Sequence, residues 1–156
     1  MYYAIVLGLM LVAPLASIVN EGGLHASQPW PALVGKWFVF WAVGVRLSLA
    51  GVRQIVQPRY TARTILGIAG DDVLLVVREL GFGNLAIGAL GLATLVVPGW
   101  LWGAALVGGI FYGLAGINHA LQKHRNALEN TAMASDLFAA IVLLGCCGWA
   151  FAGNAP

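Results

Sequence analysis

Charge is scarce in this chain. Of 156 residues, eight are Lys or Arg and six are Asp or Glu, 9% in all, where a soluble domain carries about a quarter. Hydrophobic residues make up 60%. So few polar side chains cannot coat a water-soluble globule of this size. Lipid is therefore the expected solvent, and the expected fold is a single all-α domain, a polytopic transmembrane bundle.

Cysteine is nearly missing as well, with only the adjacent Cys146 and Cys147. Neighbours on a helix point about 100° apart, a poor arrangement for a mutual disulfide or for gripping one metal ion. Both read as fillers of small apolar sites. The phosphate-loop, serine-hydrolase and zinc-protease signatures G-x-x-x-x-G-K-[ST], G-x-S-x-G and H-E-x-x-H do not occur. A net charge of +2, with no face that interleaves arginine and aromatics, argues against nucleic acid as a partner. His119 and His124 are five apart and do not share a helix face, so no metal site is expected. A bis-histidine haem needs two histidines inside the membrane. His25 falls in an outer loop and His124 in an inner one, which leaves His119 alone.

What the chain does have is apolar length. Five segments are long enough to cross, since about 20 apolar residues suffice: Tyr2 to Val19, Ala32 to Ile55, Val73 to Val97, Trp100 to Leu121 and Thr131 to Phe151. The first carries no Lys or Arg after Met1 and no A-x-A site behind it, so it reads as an uncleaved span bent at Pro14 rather than a signal peptide. Asn20 to Pro31 reads as a loop. The stretch from Val56 to Asp72 holds Arg59, Arg63, Asp71 and Asp72 around a short apolar run, and predicts a loop with a short interfacial helix near 60–70. Pro98-Gly99 predicts a tight turn that joins spans three and four as a hairpin. Gly109 and Gly113 form a G-x-x-x-G pair, a close-packing signature that suits packing within the bundle or a homo-oligomer.

Five spans put the termini on opposite sides. Arg53, Arg59 and Arg63 follow span two, and Lys123 and Arg125 follow span four, while the opposite side offers Lys36. The positive-inside rule then places the N-terminus and both basic loops in the cytoplasm and the C-terminus outside.

Against this oily background six polar residues stand out: Arg46, Glu79, Asn84, Asn118, His119 and Asp136. Arg46 is seven residues before Arg53, hence about 10 Å deep at 1.5 Å per residue. Glu79 is seven after Asp72, Asn118 and His119 shortly precede Lys123, and Asp136 is one to two turns into span five. Asn84 is deepest. Four helices thus put polar groups at the depth of the inner leaflet. Charges in hydrocarbon are costly and face a partner, a cavity or a ligand. Arg46 calls for Glu79 or Asp136 as a carboxylate partner, and Asp136 is placed to accept the ring N–H of His119. The layer reads in one of three ways: a self-satisfied structural network; a pocket for a lipid headgroup, a quinone or another amphiphile; or a site of proton-coupled or redox chemistry. No cofactor is required by the sequence, and a quinone is the one the second and third readings admit. Lipid, a second copy or another membrane subunit are the candidate partners.

The run RELGFGNLAIG from Arg78 to Gly88, GINH from Gly116 to His119, and Ser135-Asp136 with Glu129 and Met133 before them resemble the motifs of a family of small bacterial membrane proteins of uncharacterised function. The resemblance covers the chain from about Trp41 onward and implies a helical bundle in the bacterial inner membrane. A more distant similarity is to DoxX-like bundles, which share a helix ending near Gly51 and Arg53, an interfacial segment, and a glycine-rich helix with an inward acid, here Glu79. It implies an accessory component of a quinone-linked membrane oxidoreductase. An extra N-terminal span departs from that pattern.

Overall fold

A computed structural model describes residues 2–24 and 28–154. Five helices are long and apolar enough to cross a membrane: α1 (Tyr3–Gly22), α2 (Trp30–Val56), α3 (Val73–Ala93), α4 (Pro98–Leu121) and α5 (Ala127–Gly153). The described residues contain no strand. This is the all-α, multi-pass bundle that composition demands. His25, assigned above to an outer loop, lies outside the described residues.

The first helix outlasts its expected end at Val19, its α-helical portion continuing from Ala13 to Leu24. The reason is a set of partners on α2. Glu21 accepts hydrogen bonds from Lys36 Nζ at 2.8 Å and from Trp37 Nε1 at 2.8 Å, and Ser17 Oγ accepts from Trp41 Nε1 at 2.9 Å. An acid that looks like loop material in the sequence is satisfied laterally, so the helix need not stop for it. Pro14 does not end the helix either. Its ring supplies no N–H and crowds the carbonyl one turn back, but the chain widens into a π-helical turn over Gly8–Val12 just before it, and the helix resumes at Ala13.

Two helix pairs dominate the packing. Along α2 and α3 the backbones meet through glycine: a Cβ on Gly51 would lie 2.7 Å from both Gly81 O and Leu85 N, and one on Gly91 would lie 2.6 Å from Gly44 N. Along α4 and α5, Gly109 and Gly116 seat Leu144 and Leu137, while Gly113 faces Ala140. The G-x-x-x-G pair therefore serves packing inside one chain. Spans three and four are joined through Pro98–Trp100, a single 3-10 turn, as expected. Yet α3 packs much more on α2, and α4 on α5, than α3 and α4 do on each other. The hairpin is covalent at its turn and open along its length.

The connection from α4 to α5 is built from polar side chains. Arg125 Nη1 donates to the carbonyls of His119, Ala120 and Gln122 at 2.6–3.1 Å and so caps the end of α4. Asn126 accepts from Glu129 N at 2.9 Å, and Glu129 accepts from Asn126 N at 3.0 Å, a reciprocal box that satisfies two orphan donors at the start of α5. The Asn126 amide also donates to Ile65 O at 3.1 Å, tying down the short π-helical segment Tyr60–Ile65 that stands where an interfacial helix is expected. Asn126→Ala should therefore cost about 1 kcal/mol as a lost cap. Denaturant unfolding in micelles measures that loss, and faster hydrogen exchange over residues 60–66 would accompany it.

Candidate functional site

At the basic end of the bundle, on the side of Arg53, Arg59, Arg63 and Lys123, the gap between the helix pairs encloses a cavity of about 560 Å³. All five helices and the Tyr60–Ile65 segment contribute to its wall. Most of that wall is hydrocarbon, and Leu80 of α3 and Leu114 of α4, both exposed on the bundle surface, form part of its rim.

The polar part is organised by α2. Arg46 closes a π-helical stretch, Val39–Arg46, and its Nη2 lies 3.0 Å from Asp136 Oδ1 of α5. Both side chains are largely shielded, at 13% and 8% exposure. The Arg46 guanidinium lies 5.2 Å from the centre of the Tyr112 ring, and the buried Tyr112 hydroxyl donates to Ala42 O inside the same π-helical stretch. One turn and more toward the basic end, Asn84 Nδ2 of α3 donates to Gln54 Oε1 at 2.7 Å, a fully buried bond. At the mouth, the Arg53 guanidinium stacks on the Tyr60 ring at 3.5 Å.

Five of the six polar residues singled out from the sequence line this cavity: Arg46, Asn84, Asn118, His119 and Asp136. Glu79 does not. It is exposed on α3, because five residues of helix separate it from Asn84 and turn it about 140° away. Depth alone placed it in the layer and azimuth removes it. The carboxylate that Arg46 needs is therefore Asp136. The pairing of Asp136 with His119 is not made as expected. Asp136 is engaged by Arg46, and His119 Nδ1 is buried with no hydrogen-bond partner among the described residues, as is Asn84 Oδ1.

Three contributors, Gln54, Tyr112 and Tyr60, escaped the sequence reading. Gln54 lies eight residues beyond Arg46, and Tyr112 lies seven before His119; at those spacings each shares a helix face with a residue already identified. That periodicity was the available signal. Tyr60 carried none, since its ring is positioned by the fold of the connecting segment. Cys146 and Cys147 are both buried and unpaired with each other, and the Cys147 thiol donates to Trp102 O at 3.7 Å, well inside the packing of α4 on α5.

Residues 1–153 match a protein family described as "Family of unknown function (DUF6790)". No curated protein and no solved structure matches the chain.

Proposed function

The chain belongs to the DUF6790 family, and we propose that it binds the polar head of a membrane amphiphile, a lipid or a quinone-like molecule, in the cavity at its basic end. One observation carries this reading: a cavity of about 560 Å³ with a mainly apolar wall ends in convergent polar groups, two of which, Asn84 Oδ1 and His119 Nδ1, are buried without a partner. Buried polar atoms are almost always satisfied, and an apolar pocket with a few placed polar groups is the usual form of a small-molecule site. The rim at Leu80 and Leu114 offers a lateral route from the bilayer, along the line where α3 and α4 pack least. With the basic loops in the cytoplasm, the head would be drawn from the inner leaflet of a bacterial cytoplasmic membrane.

The unpartnered His119 nitrogen also suits a quinone carbonyl, and that is how the DoxX-like, redox-accessory reading would use this site. Native mass spectrometry of gently extracted protein separates these cases. A co-purifying lipid or quinone is expected at one per chain, and its mass identifies it. Ala115→Phe, which places a ring into the cavity from α4, should reduce that adduct at least tenfold while the helical circular dichroism is preserved. A wild-type chain that carries no adduct, and whose unfolding is unchanged by complete delipidation, would sink the proposal.

A further inference from the structure

We propose that the amphiphile bound in this cavity carries an oxyanion, a phospholipid phosphate or a fatty-acid carboxylate, and that Arg53 is the residue that receives it. The inference rests on the amphiphile-binding reading above and narrows it to a ligand class.

The argument is one of charge and of open donors. Among the described residues lining the cavity, the cations are Arg46 and Arg53 and the acid is Asp136. Asp136 is held by Arg46 at 3.0 Å, so that pair is neutral together. The acid nearest the mouth in sequence, Asp71, is held by Arg63 at 2.7 Å and by Arg59 at 3.4 Å. Arg53 therefore brings a positive charge to the cavity with no carboxylate of the described residues within ion-pair distance of it. Its contact is of a particular kind. The guanidinium lies over the Tyr60 ring at 3.5 Å, which engages the flat face of the fork. The N–H groups point along the edges of that plane, and none has a hydrogen-bond acceptor among the described residues. A guanidinium has five such donors in a geometry that matches phosphate or carboxylate two at a time. Stacking on an aromatic ring pre-orients the fork and leaves the recognition edge free.

The surroundings suit an anion with a tail. Arg53 is half-buried at the end of α2, where a headgroup sits, and the apolar wall runs from there toward Leu47, Phe111 and Leu114. A quinone head is neutral and would leave the Arg53 charge uncompensated. A phosphate or carboxylate at the mouth offsets it, while its acyl chain fills the apolar wall and leaves by the Leu80–Leu114 rim.

The test uses the full chain in micelles, titrated separately with phosphatidylglycerol, oleate, diacylglycerol and ubiquinone, and read by native mass spectrometry. Phosphatidylglycerol or oleate should form a one-to-one adduct at a concentration at least tenfold below that needed for diacylglycerol or ubiquinone. Preference for the first identifies a phosphate ligand, and preference for the second a carboxylate. Arg53→Gln should weaken that adduct at least tenfold, and Arg53→Lys should restore part of it. Arg59→Gln removes an equal charge at an exposed position and should change little. If Arg53→Gln and Arg59→Gln weaken binding equally, the attraction is diffuse and the Arg53 assignment falls. If neutral and anionic amphiphiles bind alike and only Ala115→Phe abolishes them, the oxyanion inference fails while the cavity reading stands. If no amphiphile binds and Ala115→Phe has no effect, both fail.

Discussion

Asp136→Ala should lower the stability of the bundle by about 3–5 kcal/mol, the cost of leaving a shielded cation without its counter-charge. Arg46 and Asp136 come from helices ninety residues apart in sequence and meet at 3.0 Å with little exposure. Removing the carboxylate leaves a guanidinium without its counter-charge among α2, α4 and α5, beside the Tyr112 ring. An arginine at this depth, ten residues and about 15 Å from the end of its helix at Val56, snorkels less readily than Arg53 does. The companion experiment replaces both partners: Arg46→Met with Asp136→Leu should recover most of the loss, because two apolar side chains of similar volume carry no desolvation cost. Equilibrium unfolding in micelles gives the four corners of the cycle, with a coupling of several kcal/mol expected. A coupling under about 1 kcal/mol, the range of exposed pairs, would mean that the pair is bathed in cavity water and that the polar layer is a wet vestibule.

That pair also marks how far the sequence could be read. Composition and apolar length were enough for five helices, because a lipid-facing chain has few other ways to satisfy its backbone. Counting residues along each span was enough to bring Arg46, Asn84, Asn118, His119 and Asp136 to the lining of one cavity, although Asn84, expected deepest, lies on the basic side of Arg46, where it meets Gln54. Azimuth is a different coordinate. Glu79 shares the depth and faces away, and only its angular separation from Asn84 could have said so. Contacts between helices were less legible still. That Arg46 would take Asp136, leaving His119 Nδ1 unpartnered, depends on how α2 and α5 are rotated about their own axes, and a π-helical stretch at Val39–Arg46 alters that rotation for α2 in a way no hydropathy pattern announces. Likewise Glu21 read as loop because its partners, Lys36 and Trp37, are on another helix. The cavity itself follows from which helices pack closely and which do not, and the glycines that decide this were visible without the partners they touch.

Those glycines support the second large effect. Gly51→Ala should destabilise the bundle by about 1–3 kcal/mol, the range for overfilling a well-packed contact, although alanine is the better helix former. The added methyl would stand 2.7 Å from Gly81 O and from Leu85 N. Both are backbone atoms, so no side chain can rotate out of the way and α2 must move off α3. Gly83 is the internal control: it lies on the same α3 helix with nothing within 4 Å of its Cβ position, so Gly83→Ala should be neutral or stabilising by up to about 1 kcal/mol. Opposite signs for one chemical change would locate the close approach on the α2 face of α3. The displacement should also reach the cavity. Gln54 is three residues from Gly51, and Asn84 three from Gly81; their side chains meet at 2.7 Å across this interface. Spreading the backbones lengthens that bond and releases two buried amides, so Gly51→Ala should weaken amphiphile binding as well as stability, without altering any residue that lines the cavity. Gly83→Ala should leave binding unchanged. Equal stabilities for the two variants in micelles would show that α2 and α3 approach less closely than these distances require, and the cavity would then need a different explanation for its shape.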